Sequence, residues 1–322
     1  SPNHSNKSWI TDQYYQTVMG DTAQKSGSDA SIIRIHNKDK AIAVSVDSSA
    51  NYCKSHPKTG GKQIVCENWR NLISTGAKPL AITNCLNFGN PENKEIMGEF
   101  VECLEGIKEA CKFLNYPVVS GNVSFYNGTN QKNINPTPVI GGVGLIKKLS
   151  KPLGQNFKKD GSVILLVGKT FGHLEQSCFL KENYLITEGM PPEVNLLNEK
   201  NNGENVLKLI QNDLVLSAHD ISNGGLIVAL SEMALSSNYG AKIQKPKKLT
   251  NLFEYFFGED QGRYILEIDP KNLTKAEKIL KENNIYYENV GLTQKNFFEI
   301  ESELKINIKD LYKVNNEWYN KY

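Results

Sequence analysis

Arginine is scarce in this sequence. Of the 37 basic residues, only Arg34, Arg70 and Arg263 are arginines. Lysine carries the rest of the positive charge and asparagine is abundant, so the composition has drifted toward those two residues. Against that drift, a retained arginine points to a task that lysine cannot perform, such as bidentate pairing with a carboxylate or phosphate. Net charge is also nearly absent. At +2 it gives no electrostatic case for nucleic acid or an anionic membrane surface. No run approaches the roughly 20 apolar residues of a membrane helix. The N-terminal stretch SPNHSNKSWITDQYY lacks the apolar core of a signal peptide. The six cysteines form no CxxC pair and no Cys/His cluster with zinc spacing. Most fall in apolar helix or strand patterns, which predicts buried free thiols in a reducing cytoplasm. There is no 20–50-residue repeat.

What is present fits a soluble globular chain long enough for two domains. A helix is expected over residues 7–18, then strands at Ala30–Ile35 and Ala41–Asp47 separated by a polar turn. Gly60-Gly61 precedes a helix from about Lys62 to Ser74, which Gly76 ends. Leu80–Leu86 reads as a strand feeding the loop TNCLNFGNP (Thr83–Pro91). A helix follows from Pro91 to about Leu114, with apolar residues at three- and four-residue spacing. Strands at Pro117–Ser120 and Thr137–Ile146 complete an α/β layer unit. The polar stretch Lys147–Gly161 marks a domain boundary, giving domains 1–150 and 151–322. The second unit reads as another α/β arrangement. It has strands at Ser162–Val167, Leu214–His219, Tyr264–Ile268 and near 285–300, and helices at Val206–Gln211, Leu226–Leu235, Leu252–Phe257, about 270–283 and the C-terminus.

Polar loops at strand ends and helix starts are the places where chemistry would sit. In Gly121-Asn122-Val123-Ser124 the glycine lets a ligand approach the backbone, and the Asn and Ser oxygens can meet phosphate or hydrated Mg²⁺. The plain alternative is a side-chain-closed turn. In Asp220-Ile221-Ser222-Asn223-Gly224-Gly225 a carboxylate and a hydroxyl precede a helix, which suits a phosphate bridged by Mg²⁺ or simply an N-cap. His219 is either a base or a packed histidine. Glu67 and Asn71 share a helix face and with Asp21 would serve as Mg²⁺ ligands; the alternative is an exposed polar face. Glu259, Asp260 and Arg263 read as a surface ion-pair cluster. Gly168-Lys169-Thr170 fails the P-loop pattern because Val163 stands where its first glycine should be.

The strings GGKQIVCENWRNLISTGAKPLAITNCLNFGNP, FLNYPVVSGNVSFYN, PTPVIGGVG, SAHDISNGGLIVALSEMAL and FGEDQGRY, in that order, closely resemble the C-terminal half of the PurL family. These are the formylglycinamide ribonucleotide amidotransferases, also called phosphoribosylformylglycinamidine synthases, which are related to AIR synthetase, selenophosphate synthetase and thiamine-phosphate kinase. The resemblance implies a PurM-like α/β (α+β type) unit, an N-terminal half-barrel domain followed by a C-terminal α/β domain. It implies a share in an ATP-dependent ligation of purine biosynthesis. There, ATP activates the amide oxygen of formylglycinamide ribonucleotide and glutamine-derived ammonia displaces phosphate. The positions it implies are Asn84 and Gly121 for ATP, Asn122 for Mg²⁺ and Ser124 for substrate. For an auxiliary ATP- or ADP-containing site it implies Asp21, Glu67, Asn71 and Asp220 for metal and Ser222 for nucleotide.

Three motifs depart from the family. Asn84 replaces a carboxylate, Asp47-Ser48-Ser49 replaces Asp-Gly-Asn, and Asn223 replaces an aspartate. The catalytic His of the family's first half has no counterpart here, so no residue of this chain is expected to be catalytic. The implied partners are an N-terminal PurL half, a glutaminase subunit and a small assembly subunit, with neither nucleic acid nor membrane. The isolated chain is expected to pair with itself through its unpaired sheet edge. A non-catalytic nucleotide-binding or assembly module holding structural ADP–Mg²⁺ is the alternative. A stand-alone homodimer resembling AIR synthetase is a further one, but it would need a catalytic loop that residues 1–28 do not offer.

Overall fold

The structure, a computed structural model, describes residues 2–14, 16–130, 132–149, 153–246 and 251–320. After a short helix α1 (Ser8–Thr11), the first unit runs β1 (Thr22–Gln24), β2 (Ser31–Arg34), β3 (Ala41–Asp47), α2 (Ala50–Ser55), α3 (Pro57–Ser74), β4 (Lys78–Asn87), α4 (Lys94–Leu114) and β5 (Val118–Ser124). A small hairpin of β6 (Gly128–Thr129) and β7 (Lys132–Asn133) precedes β8 (Thr137–Ile146). The main strands form a six-stranded sheet in the order β1-β2-β3-β8-β4-β5. Neighbours are antiparallel except β4 and β5, which are parallel.

Alternation along β3 decides the two faces of this sheet. Ala41, Ala43 and Ser45 are buried beneath α3, whereas Ile42 and Val46 point away from it. Ile33 pairs with Ile42, and Val143 with Val44, on that second face. Ile33, Ile42, Val46 and Val143 leave it apolar and exposed.

Helices α3 and α4 cover the other face and cross closely. A Cβ on Gly106 would stand 2.0 Å from the Lys58 carbonyl oxygen, and one on Gly61 2.4 Å from that of Cys103. The glycine pair expected to precede α3 is therefore inside it. The helix begins earlier, at Pro57, with His56 accepting from the Thr59 amide. Helix α4 starts later than expected, at Lys94, where Asn93 caps it, and it ends on Asn115 in the left-handed conformation.

The second unit runs β9 (Val163–Val167), α5 (Cys178–Tyr184), α6 (Leu196–Gln211), β10 (Ser217–Asp220), α7 (Gly225–Leu235), β11 (Tyr239–Ile243), α8 (Leu252–Phe257), β12 (Tyr264–Ile268), α9 (Leu273–Glu282), β13 (Tyr287–Lys295), β14 (Phe297–Ile300), β15 (Leu304–Asn307) and α10 (Ile308–Asn320). Seven strands pair in the order β10-β12-β9-β13-β11-β14-β15. Every residue of β9 and β12 is buried, so this sheet is covered on both faces. Leu165 and Leu266 join a core that continues through Val206 of α6 to Ile64 and Leu72 of α3. Ile164, Leu166 and Ile265 join a second core with Met233 of α7 and Phe298. The α3–α6 contact thus fuses the two units, and it places the carboxyl end of β10 beside α3.

The helix expected over 7–18 does not form. Only Ser8–Thr11 is helical, Val18–Gly20 is a 3-10 turn, and Met19 takes φ 64°. The aromatic spacing there serves a tertiary contact: Trp9 stacks on Tyr319 of α10. Tyr15, part of that expected helix, and residues 150–152 of the expected boundary lie outside the described residues. Helix α6 starts ten residues before the expected Val206, at Leu196, where Asn195 accepts from the Asn198 amide.

Candidate functional site

Beside that α3–β10 junction lies a cluster of carboxylates. Asp47 ends β3, Glu67, Arg70 and Asn71 lie on α3, and Asp220 ends β10 with Ser222 just after it. Asp29 comes from the segment before β2. Asp47 is held in place by three donors: Asn71 Nδ2 at 2.7 Å, Asn68 Nδ2 at 2.7 Å and Ser45 Oγ at 2.8 Å. Arg70 Nε lies 3.3 Å from Asp220 Oδ2. His219 Nδ1 is 2.6 Å from Asp29 Oδ1, and its Nε2 is 3.1 Å from Glu232 Oε2. The face of α3 carrying Glu67 and Asn71 therefore points inward and is not the exposed polar face that was the plainer expectation.

Crowded negative charge dominates the electrostatics. Burial, then Asp47 and Asp220, push the Glu67 carboxyl up to about 8, while Arg70 and the Ser222 hydroxyl oppose this. Burial pushes Asp220 up to about 7 against the pull of Arg70, with Asp29 adding to the rise. Burial likewise raises Asp47. Burial disfavours the His219 imidazolium, but Asp29 and Glu232 outweigh it and hold that ring protonated.

Such a set asks for a cation. Carboxylate oxygens of Asp29 and Asp220 lie within 4.8 Å of one another and of a ring nitrogen of His219, whose protonated ring pairs with Asp29 and Glu232 and leaves the carboxylates as the ligands. Asp29 Oδ2 is buried with no hydrogen-bond partner, an arrangement that is costly unless something fills it. A cleft of about 740 Å³ runs past Asp29, Asp47, Asn71, His219, Asp220 and Ser222. Its oxygen-rich donor set is that of a hard divalent ion such as Mg²⁺, so the residues fit the expected group.

Four of the five residues expected at the auxiliary site, Glu67, Asn71, Asp220 and Ser222, are brought together here. Asp21 is not among them. It is held by His36 Nε2 at 2.8 Å and Arg34 Nε at 3.9 Å, because it follows the Val18–Gly20 turn on the far side of β2. Asp29 takes a place in the cluster that sequence reasoning did not assign. Its partner His219 is 190 residues away, so no local spacing could have revealed it. The position of Asp47 at a strand end was visible, but its convergence on Glu67 was not.

The expected surface cluster of Glu259, Asp260 and Arg263 is buried. Glu259 accepts from the Tyr52 hydroxyl and from the amides of Gly224 at 2.7 Å and Cys178 at 2.8 Å. Asp260 accepts from the amides of Phe171, Gly172 and His173. Arg263 donates to the carbonyls of Gly258 and Asp260 and to Thr170 Oγ1. These groups satisfy backbone amides and carbonyls around the starts of α5 and α7 and the end of α8, so each is buried with partners.

The second candidate region is the β4–β5 pair. Its parallel register sets Asn84 beside Gly121, Cys85 beside Asn122 and Asn87 beside Ser124. Asn84 and Gly121 share one face, and a Cβ on Gly121 would meet Asn84 Oδ1 at 2.0 Å. Asn122 and Ser124, two residues apart, share the opposite face. Asn122 Nδ2 is 4.0 Å from Cys85 Sγ. Ser124 Oγ accepts from Asn127 Nδ2 at 3.1 Å, and the Asn90 amide donates to Asn133 Oδ1 at 2.9 Å. The loop expected at Thr83–Pro91 is thus stiffened by asparagine side chains. Its first residues, Thr83–Asn87, belong to β4, which is paired on both sides; the edge strand beside it is β5, on which Gly121 and Asn122 are exposed.

The comparisons with known proteins agree with this architecture. Models of the AIR synthase related proteins match in two parts, the N-terminal domain over residues 27–146 and the C-terminal domain over residues 159–298. The phosphoribosylformylglycinamidine synthase subunit PurL of Pelagibacter ubique is 54% identical over 322 residues, 100% of this chain and 44% of that protein. The chain therefore spans less than half the length of this curated relative. Among solved structures, Thermotoga maritima PurL complexed with FGAR superposes with a TM-score of 0.74 at 18% identity, over 90% of this chain and 48% of that one. The same protein complexed with ATP gives 0.74 at 16% identity, over 96% and 49%. At such identities these two structures speak for the fold. With most of both sheets covered by one family's paired models, the chain belongs to the AIR synthase related proteins and is, along its whole length, similar to part of PurL.

Proposed function

We propose that this chain is the second half of an ATP-dependent ligase that converts formylglycinamide ribonucleotide to formylglycinamidine ribonucleotide, acting in the cytoplasm. Its two domains divide near residue 150. The Asp29–Asp47–Glu67–Asp220 cluster holds Mg²⁺ with ATP or ADP, Ser222 contacting the nucleotide. The β4–β5 wall supplies one side of the ligation site: Asn84 and Gly121 toward ATP, Asn122 toward Mg²⁺ and Ser124 toward substrate. A first PurL half supplies the opposite side and the catalytic groups, and glutaminase and small assembly subunits deliver ammonia. The observation that carries this reading is the convergence of Asn71, Asp220 and Ser222 on one cleft containing the unpartnered buried Asp29 Oδ2, with Glu67 buried behind them against Asp220 and Ser222. When bound, Mg²⁺ would neutralise that cluster and bridge it to phosphate oxygens.

Calorimetric titration of the chain with ATP and Mg²⁺ tests the reading, comparing wild type with Asn84→Asp and Asp220→Ala. Asp220→Ala is expected to weaken binding at least tenfold. Asn84→Asp is expected to strengthen a second, weaker binding event by restoring a carboxylate to the β4–β5 wall. Unchanged binding in both variants would remove both sites. An effect of Asp220→Ala alone would favour a second reading, a non-catalytic module with structural ADP–Mg²⁺. The burial of Asp220, in contrast to the exposure of Gly121 and Asn122 on edge strand β5, gives that reading its support.

A further inference from the structure

We infer that Arg70 is a positioning residue for the carboxylate cluster, coupling metal–nucleotide binding at Asp220 to the docking of α3 against the second unit. This inference rests on the proposed metal–nucleotide site. Arg70 and Arg263 are the largest of the fully buried side chains, and Arg70 is the one that touches the cluster. Each nitrogen of its guanidinium has a separate partner. Nε holds Asp220 Oδ2 at 3.3 Å, Nη1 pairs with Glu199 of α6, and Nη2 donates to Gln261 Oε1 at 3.1 Å. Asp220 Oδ1 is left facing His219, at 3.9 Å from Nδ1, and Asp220 lines the cleft beside Asp29. One oxygen of Asp220 is therefore anchored and the other presented.

The anchor reaches further than the site. Arg70 belongs to the first unit, and its three partners, Asp220, Glu199 and Gln261, all belong to the second. A planar fork can satisfy three directions at once, whereas an ammonium on a flexible stem cannot hold all three in register. Because the pairing is fully desolvated, its geometry matters more than its charge alone. Anything that pulls on Asp220 is felt at Glu199 on α6, and the reverse. Arg70 touches neither the presented oxygen nor the cleft, so it acts through Asp220.

The test uses the whole chain, with Mg²⁺ and ADP as the probe and calorimetry and thermal unfolding as readouts. Arg70→Lys keeps the charge but loses the fork, and Glu199→Gln releases the α6 arm while leaving the Asp220 arm. The expected result is at least a tenfold loss of Mg²⁺–ADP affinity in Arg70→Lys, with most of the ligand-induced rise in Tm gone. In Glu199→Gln, which keeps the Asp220 arm, the ligand-free Tm falls and affinity falls severalfold, clearly less than in Arg70→Lys. Equal losses of affinity in the two variants, or none in Arg70→Lys, would overturn the positioning role. Hydrogen exchange on the wild-type chain covers the case in which Arg70→Lys does not fold. Added Mg²⁺–ADP should slow exchange in α6 as well as around Asp220, and protection confined to the cleft would overturn the coupling. No binding by the wild type would remove the site itself, and this inference with it. Wild-type binding with an unaffected Arg70→Lys removes only the inference.

Discussion

Individual residues decide whether the carboxylate cluster is stable without a cation. Glu67 is the sharpest case, because its folded carboxyl is raised to about 8 by burial, Asp47 and Asp220. A raised carboxyl means that the native state holds its proton more tightly than the unfolded chain does. Its contribution is fully present below the unfolded value and is lost as pH rises toward and through the folded one. In the absence of Mg²⁺, the chain is expected to lose roughly 2–3 kcal/mol between pH 6 and pH 9 from this group. Urea unfolding at a series of pH values measures it. Glu67→Gln should flatten that slope and abolish its reversal by Mg²⁺, and an unchanged slope in this variant would assign the effect elsewhere. The two buried arginines act at the same scale. Arg70 and Arg263 each satisfy several acceptors in directions that lysine cannot serve together, which explains their retention in a lysine-rich chain.

At the scale of elements, the decisive contact is the crossing of α3 and α4. Gly61 and Gly106 allow the helix backbones to touch, and a Cβ on Gly106 would meet backbone and not a movable side chain. Gly106→Ala is therefore expected to cost roughly 1–3 kcal/mol, the range for overpacking a filled core. This exceeds the gain alanine brings to a helix interior. The midpoint of chemical unfolding reads this out, and a stabilised variant would show that the crossing can spread. Displacing α4 would also loosen α3, which carries Glu67, Arg70 and Asn71. The same substitution should therefore weaken nucleotide binding from a distance.

For the whole molecule, the outstanding feature is the bare face of the six-stranded sheet. Ile33, Ile42, Val46 and Val143 are exposed on it while the opposite face is packed under helices. An apolar face with edge strand β5 beside it is an interface in want of a partner. We expect a dimer of the isolated chain at micromolar concentration, with Val46→Lys together with Ile42→Glu shifting it to monomer in sedimentation. A wild-type monomer at that concentration would sink the expectation. Measurable amidation by the isolated chain would contradict the proposal that a first PurL half supplies the catalytic groups.

Much of this was legible in the sequence, for physical reasons that differ by residue. The strands around Ala41–Asp47 and Val163–Val167, the helix ending near Ser74, and the loops at Thr83–Pro91 and Asp220–Gly225 are encoded by local alternation, caps and turn residues. A linear reading captures those directly. The order of the quoted strings also carried the family. The chain alone did not reveal which polar residues meet. Glu259, Asp260 and Arg263 read as surface charge, yet they are buried because loop amides need acceptors. The spacing at residues 7–18 resembled a helix, yet Trp9 answers to Tyr319. Asp21 had the sequence context of a ligand, whereas Asp29 has the place of one beside His219, across 190 residues. Local pattern fixes elements because neighbouring residues set backbone preferences. Only tertiary structure brings distant carboxylates to one cleft and commits Arg70 to hold them.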